Sequence, residues 1–164
     1  MDKPYRTFAS MIITASIVMF GVMYLNTYAL DHVRWSETRA YMTLVMGATM
    51  AIVMLAFMLG MYKNQRTNAG IVIGSVFVFS AALWLVRSQA TVADVSYMKA
   101  MIPHHSIAIN NARKASISDP RVRELADGII ASQVREIAEM KALIESIRRD
   151  GEQGVEPLPP RADE

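Results

Sequence analysis

The segment MKAMIPHHSIAINNARKA holds two methionines and two adjacent histidines around a proline. Side chains three and four positions apart lie on one face of a helix, so Met98, Met101 and His105 would stack within reach of one bound ion. His104 lies roughly 100° away round the helix, where it would add a ligand or serve a neighbouring subunit. The spacing predicts a site in which one helix supplies two thioethers and one or two imidazoles.

The donor types indicate which ion such a site would take. Thioether sulfur is soft and imidazole is borderline, and the chain has no cysteine, so the set suits Cu(I) or Ag(I). Pro103 cannot donate a hydrogen bond to the carbonyl of Lys99, so we expect a loosened helix on which both histidines converge. The alternative is that the methionines fill a core and the histidine is hydrogen-bonded to a carboxylate such as Asp94.

A second amphipathic segment follows the first. Asp119 as N-cap and Pro120 at the first helical position predict a helix that runs to about Asp150 and stops at Gly151. Within it, residues recur at alternating steps of four and three, which indicates a coiled-coil-like seam. The seam contains Ala126, Ile130, Gln133, Ile137, Met140, Ile144 and Ile147.

The two segments form a predicted helical hairpin over residues 91–150. Thr91 and Asp94 indicate a capping box at its start. Met140, from the second helix, is the predicted fourth ligand. Gln133 and Glu136 are near enough to hydrogen-bond to the ligands and so orient them without contacting the ion. Gln133 also fits the role of a polar residue that sets the register of the seam. The predicted inward face of the first helix contains Asp94, Met98, Met101, His105, Ala108 and Ala112.

Two helices joined by a short turn cannot bury both sides of such seams. A second copy of the hairpin would complete a four-helix bundle, so we expect a homodimer or a higher homo-oligomer. The predicted fold class is all-α. The polar segment 151–164, rich in proline and glycine, is predicted to be a disordered tail.

Residues 1–88 are predicted to be a three-helix transmembrane region. Hydrophobic residues make up 52% of the chain, and three runs are nearly free of charge. These runs are residues 8–30, 41–62 and 69–86. Lysine and arginine are slightly more frequent beside one side of the spans, which favours an inside N-terminus and an outward-facing C-terminal domain. We therefore expect a bacterial inner-membrane protein whose hairpin faces the periplasm.

Two further patterns lie in the spans. Methionine recurs at every fourth residue from Met42 to Met58, which would suit a thioether ladder for a soft cation, although methionine is also an ordinary packing residue. Small residues at four-residue spacings indicate close helix packing within or between subunits. They are Gly47, Ala51, Ala56, Gly60, Gly70 and Gly74.

Several function classes are disfavoured. The net charge is only +2, and basic residues alternate with acidic ones, so we expect no nucleic-acid binding. The sequence lacks the Glu-x-x-His arrangement of di-iron bundles and any glycine-rich phosphate loop, so we expect neither an enzyme nor catalytic residues.

The stretches DVSYMKAMIPHHSIAINNA and DPRVRELADGIIASQVREIAEMKAL resemble the bacterial family called domain of unknown function three hundred and five. Its hallmarks are a Met-Ile-Pro-His-His stretch and a later Gln-x-x-Glu-Ile-x-x-Met stretch. The family includes CopM-type periplasmic copper-binding proteins, whose ferritin-like four-helix bundles contain two such hairpins. This chain resembles a membrane-anchored member with one hairpin. The resemblance implies Asp94, Met98, Met101, His104, His105, Gln133, Glu136 and Met140 as the characteristic positions.

The leading hypothesis from the sequence is a membrane-anchored Cu(I)-binding or Ag(I)-binding protein that sequesters the ion or hands it to another protein. Its expected partners are the lipid bilayer, a second copy and a metal donor or acceptor. The alternative is a metal-free scaffold or oligomerisation module in which the histidines are structural.

Overall fold

The computed structural model describes residues 3–154, and the predicted tail lies outside it beyond residue 154. Within that part of the chain, the structure contains five α-helices, one short 3₁₀ helix and no strand, which confirms the all-α class. The helices are α1 (Lys3–Val22), α2 (Glu37–Phe57), α3 (Gln65–Ser88), α4 (Asp94–Lys114) and α5 (Pro120–Asp150), and the 3₁₀ helix is Leu30–His32.

Helices α1, α2 and α3 are each long and apolar enough to cross a membrane, with mean hydropathies of 1.4, 1.9 and 2.3. Helix α2 is central, because both α1 and α3 pack against it. Helix α1 ends at Val22, well before the end of the predicted run at residue 30. The reason is that the backbone of Tyr28 and Asn26 leaves the helix to bond with side chains of α4. Helix α3 begins at Gln65 because the Asn64 side chain accepts hydrogen bonds from the next backbone N–H groups.

Helices α4 and α5 form the predicted hairpin. Its core contains Met98, Ile102, Ile109, Ile137 and Ile144. All seven members of the predicted α5 seam are buried or half-buried, so the seam is confirmed. The predicted ends of α5 are also confirmed, with a side-chain cap at its first turn and a glycine at φ 82° after its last.

The predicted start of α4 is wrong in detail. Its N-cap is Ala93, which offers no side-chain hydrogen bond. The Thr91 hydroxyl lies instead 2.8 Å from the hydroxyl of Tyr41, so it is engaged with α2 rather than with its own helix. Asp94 is exposed, and its predicted inward position is therefore also wrong.

A polar latch, formed by residues 26–32 against the hairpin, was not predicted. The buried Ser106 hydroxyl accepts from the Tyr28 N–H at 2.8 Å and lies 2.9 Å from Nδ1 of His32. Asn110 donates to the Asn26 side chain at 2.7 Å.

Two further contacts of the latch involve charged side chains. Lys141 pairs with Asp31, and Arg113 pairs with the hydroxyl of Tyr28. The latch joins the helical hairpin to the segment that follows α1.

We expect this latch to weaken in mild acid. Partial burial, and then the charge of Lys141, lower the pKa of His32 below its ordinary value of 6.5, with Asp31 opposing and Arg34 reinforcing the shift. The unfolded chain therefore binds the proton more readily, so the contribution of neutral His32 is complete above pH 6.5 and declines as the pH falls through and below it.

The measurement is thermal unfolding of the full chain in detergent at about pH 7.5 and 5.5, which bracket an ordinary histidine. The melting temperature should fall more in the wild type than in His32→Gln, which keeps an acceptor but binds no proton. Equal decreases in the two proteins would contradict the role of His32.

Candidate metal site

A cavity of about 240 Å³ lies between α4 and α5, and four of the five predicted ligands line it. Helix α4 supplies Met98, Met101 and His105, which follow one another at steps of three and four. Helix α5 supplies Met140, from the confirmed seam. The complete lining is Tyr97, Met98, Met101, His105, Glu136, Glu139, Met140 and Leu143.

The four predicted donors that line the cavity differ in their exposure. Met98 and His105 are buried, with exposed fractions of 7% and 9%, whereas Met101 and Met140 are half-buried. The cavity is therefore closed toward the hairpin core and open on the side of Met101 and Met140. An ion bound there would contact the core on one side and the surface on the other.

His105 is held at both ring nitrogens. Nδ1 lies 3.0 Å from the carbonyl oxygen of Met101, and Nε2 lies 2.7 Å from Oε2 of Glu136. Both neighbours are acceptors, so the ring is oriented by its own helix on one side and by α5 on the other. The carboxylate that orients the histidine is thus Glu136, as predicted for this residue, and not Asp94.

Glu136 brings a negative charge to the cavity. The Ser132 hydroxyl donates to Oε1 at 2.5 Å, and the hydrogen bond with His105 occupies Oε2. The hydrogen bond from Ser132 lowers the pKa of Glu136 most, and the hydrogen bond with His105 lowers it further. Together they hold this pKa below its ordinary value. The carboxylate is therefore ionised at neutral pH, and it would attract a cation to the open side of the cavity.

Three predicted positions lie outside the lining. His104 is exposed, and its ring centroid lies 6.2 Å from that of His105. Gln133 is half-buried in the seam, and Asp94 is exposed. Pro103 is buried, but α4 remains helical from Asp94 to Lys114, so the two histidines stay on different sides of the helix.

Three lining residues were missed by sequence reasoning. Tyr97 precedes Met101 by four positions, Leu143 follows Met140 by three, and Glu139 follows Glu136 by three. The same spacing rule that selected the ligands would have found them. Between residues 3 and 154, no three His, Asp or Glu side chains are grouped to hold a metal. Any ion in the cavity would depend on the thioethers.

Comparisons with known proteins extend beyond the hairpin. A family model described as "Domain of unknown function (DUF305)" matches residues 82–153. The chain is similar to "Uncharacterized protein L153" of Acanthamoeba polyphaga mimivirus, with 31% identity over 143 residues, 83% of this chain and 92% of that protein. An alignment of this extent must include much of the three apolar helices. No solved structure matches the chain significantly.

Proposed function

The chain belongs to the DUF305 family, and on that premise we propose that it is a membrane-anchored protein that binds Cu(I) or Ag(I). Its role is to sequester the ion or hand it to a partner protein, not to catalyse a reaction. The observation that carries the proposal is that Met98, Met101, His105 and Met140 all line one cavity.

The donor set fits a soft monovalent ion. Three thioethers and one imidazole, with no thiolate, match the preference of Cu(I) and Ag(I) for soft ligands. Coordination through Nε2 of His105 requires Glu136 to move away and the proton shared between them to leave Nε2. The opposite hydrogen bond, from Nδ1 to the carbonyl of Met101, would continue to orient the ring, as is usual for histidine ligands.

The rest of the chain supplies the anchor and the oligomer. The three apolar helices would cross the bilayer, which we propose to be a bacterial inner membrane with the hairpin in the periplasm. A second hairpin would complete a four-helix bundle. Exposed apolar residues on α5 support this, because a face of this kind in water is usually covered by a partner. They are Val122, Leu125, Ile129 and Leu143, and their exposed fractions are 48%, 65%, 40% and 47%.

A metal-free scaffold is the second candidate, and one observation favours it. Each ring nitrogen of His105 already has a protein oxygen within 3.0 Å, so the buried side chain has polar partners in the hairpin without any metal. On this hypothesis the hairpin is an oligomerisation module, and the methionines fill its core.

The distinguishing experiment is Cu(I) competition binding on the detergent-purified full chain, with the oligomeric state recorded. We expect His105→Ala to weaken Cu(I) binding by about 10-fold or more, a typical loss for a metal-site residue. His104→Ala is the matched control on the same helix. We expect it to have a smaller effect, because His104 would be an additional ligand outside the cavity.

A buried histidine replaced by alanine can also disturb the hairpin, so His105→Gln is measured in parallel. Unchanged Cu(I) affinity in both variants of His105 would overturn the metal proposal. Loss of the oligomer without metal would favour the scaffold.

A further inference from the structure

An apolar groove with a volume of about 730 Å³ runs between α1 and α3, over the surface of α2. Helices α1 and α3 each pack against α2, but their backbones do not approach one another anywhere in the described chain. Gly47, Ala48 and Ala51 of α2 line the groove, together with Gly70 and Gly74 of α3. The groove therefore presents small residues to whatever lies beside α3 in the bilayer.

The structure separates these glycines into two groups. A Cβ on Gly47 would lie 2.6 Å from Oγ of Ser16, so this glycine serves the packing of α1 against α2. A Cβ on Gly70 or Gly74 would meet nothing within 4 Å. Two glycines four positions apart permit the close approach of a second helix in a membrane, and within this chain no helix uses these two.

A polar side chain in the same groove also lacks a partner. Ser75 lines the groove and is only 9% exposed, yet its hydroxyl makes no hydrogen bond to any residue between 3 and 154. Thr43 and Thr49 on α2, by contrast, donate to the carbonyl oxygens four residues before them. An unpaired hydroxyl is costly in hydrocarbon. A neighbouring helix can offer it a hydrogen-bond partner, whereas a lipid acyl chain cannot.

We propose that the groove receives α3 of a second copy of this chain, so that two α3 helices cross at Gly70 and Gly74. A two-fold pair uses the same patch on both subunits, and α3 carries both the glycines and Ser75. This inference rests on the homodimer of the proposed function and assigns its membrane contact.

The position of the hairpin favours a second copy over an unrelated helix. Only residues 89–93 separate α3 from α4, so pairing two α3 helices brings two hairpins close together above the bilayer. One symmetric pair would then fill the groove and bring a second hairpin within reach of the exposed apolar residues of α5. An unrelated transmembrane helix would fill the groove and leave those residues in water.

The test uses the absence of cysteine from the chain. Val78 lines the groove, whereas Val76 lies on another side of the same helix and is 51% exposed. Single-cysteine variants Val78→Cys and Val76→Cys of the full chain are treated in native membranes with a short thiol-reactive crosslinker. We expect a crosslinked dimer from Val78→Cys and little or none from Val76→Cys.

A second pair of variants tests the glycines. Adding Gly74→Leu to Val78→Cys should abolish the crosslink by filling the groove, and a Cβ added at Gly74 meets no atom of the described chain within 4 Å. Gly21→Leu is the control, because Gly21 is equally open but does not line the groove. It should leave the crosslink unchanged.

Equal crosslinking at the two valines, no crosslink at Val78, or an adduct with the mass of another protein would each overturn the proposal. The reaction is run with a Cu(I) chelator and without a copper oxidant. A crosslink in a protein that fails to bind Cu(I) then supports the α3 pair and overturns only the metal function. Cu(I) binding without a crosslink has the opposite meaning.

Discussion

Replacing Met98, Met101 and Met140 together by leucine should lower the affinity for Cu(I) by about 100-fold or more. The outer partners of a metal site alone contribute about 10- to 100-fold, and this change removes the three soft ligands themselves. Leucine has nearly the volume of methionine, and such exchanges in a core usually cost less than about 1.5 kcal/mol each. The hairpin should therefore remain folded while most of its affinity for Cu(I) is lost.

The chain offers a matched control for this experiment. Met42, Met46 and Met50 belong to α2, and none of them lines the cavity between α4 and α5. Their triple replacement by leucine removes the same number of thioethers from another part of the protein. Cu(I) competition binding is measured on both triple variants in detergent. A loss that is equal in the two variants would mean that the cavity is not the binding site.

A comparable loss in both variants would have a second meaning. It would revive the interpretation of the α2 methionines as a thioether ladder, because soft-cation binding would then depend on the row in the membrane. The methionines from Met46 to Met58 in that row are half-buried against neighbouring helices. Helix packing is sufficient to account for them.

The second large effect is expected in the hairpin core. Ile102 is completely buried, at 0% exposure, between α4 and α5. Ile102→Ala removes buried methyl and methylene groups and leaves a cavity, which typically costs about 3 kcal/mol. Only part of the chain is affected, so the cost should appear as easier opening of the hairpin.

Hydrogen exchange of the α4 and α5 amides in the full chain measures this opening. We expect exchange in the protected core to accelerate by about 100-fold, which corresponds to about 3 kcal/mol. Ile102→Val should produce an intermediate change of about 1 kcal/mol. Val134→Ala is an exposed control, since Val134 is 49% exposed, and it should have little effect. If alanine at residue 102 accelerates exchange no more than alanine at residue 134, the core assignment is wrong.

The hairpin was the part of the fold that sequence reasoning described best. Asp119, Pro120 and Gly151 act through local backbone geometry, and the seam follows from a periodicity inside one helix. The four donors that line the cavity were also predictable, because spacings of three and four place side chains on one face whatever the surroundings are. The same reasoning assigned three apolar helices from composition and length.

Tertiary contacts decided the rest. The end of α1 at Val22 depends on where Ser106 and Asn110 lie, about eighty positions later in the chain, and no local pattern contains that information. The absence of the predicted Thr91 cap also results from a distant contact. The Thr91 hydroxyl pairs with the hydroxyl of Tyr41 on α2 instead of capping its own helix.

The two histidines show most clearly what the sequence alone predicts and what depends on helix packing. Their sequence spacing separates them by roughly 100° round a helix, but it does not say which one meets the other helix of the hairpin. The packing of α5 against α4 answers this, because it brings Glu136 to within 2.7 Å of His105 and leaves His104 exposed. Periodicity along one helix could be read from the residues alone. The partner of each face is a property of two helices together, and the distances between side chains on different helices exist only after those helices have packed.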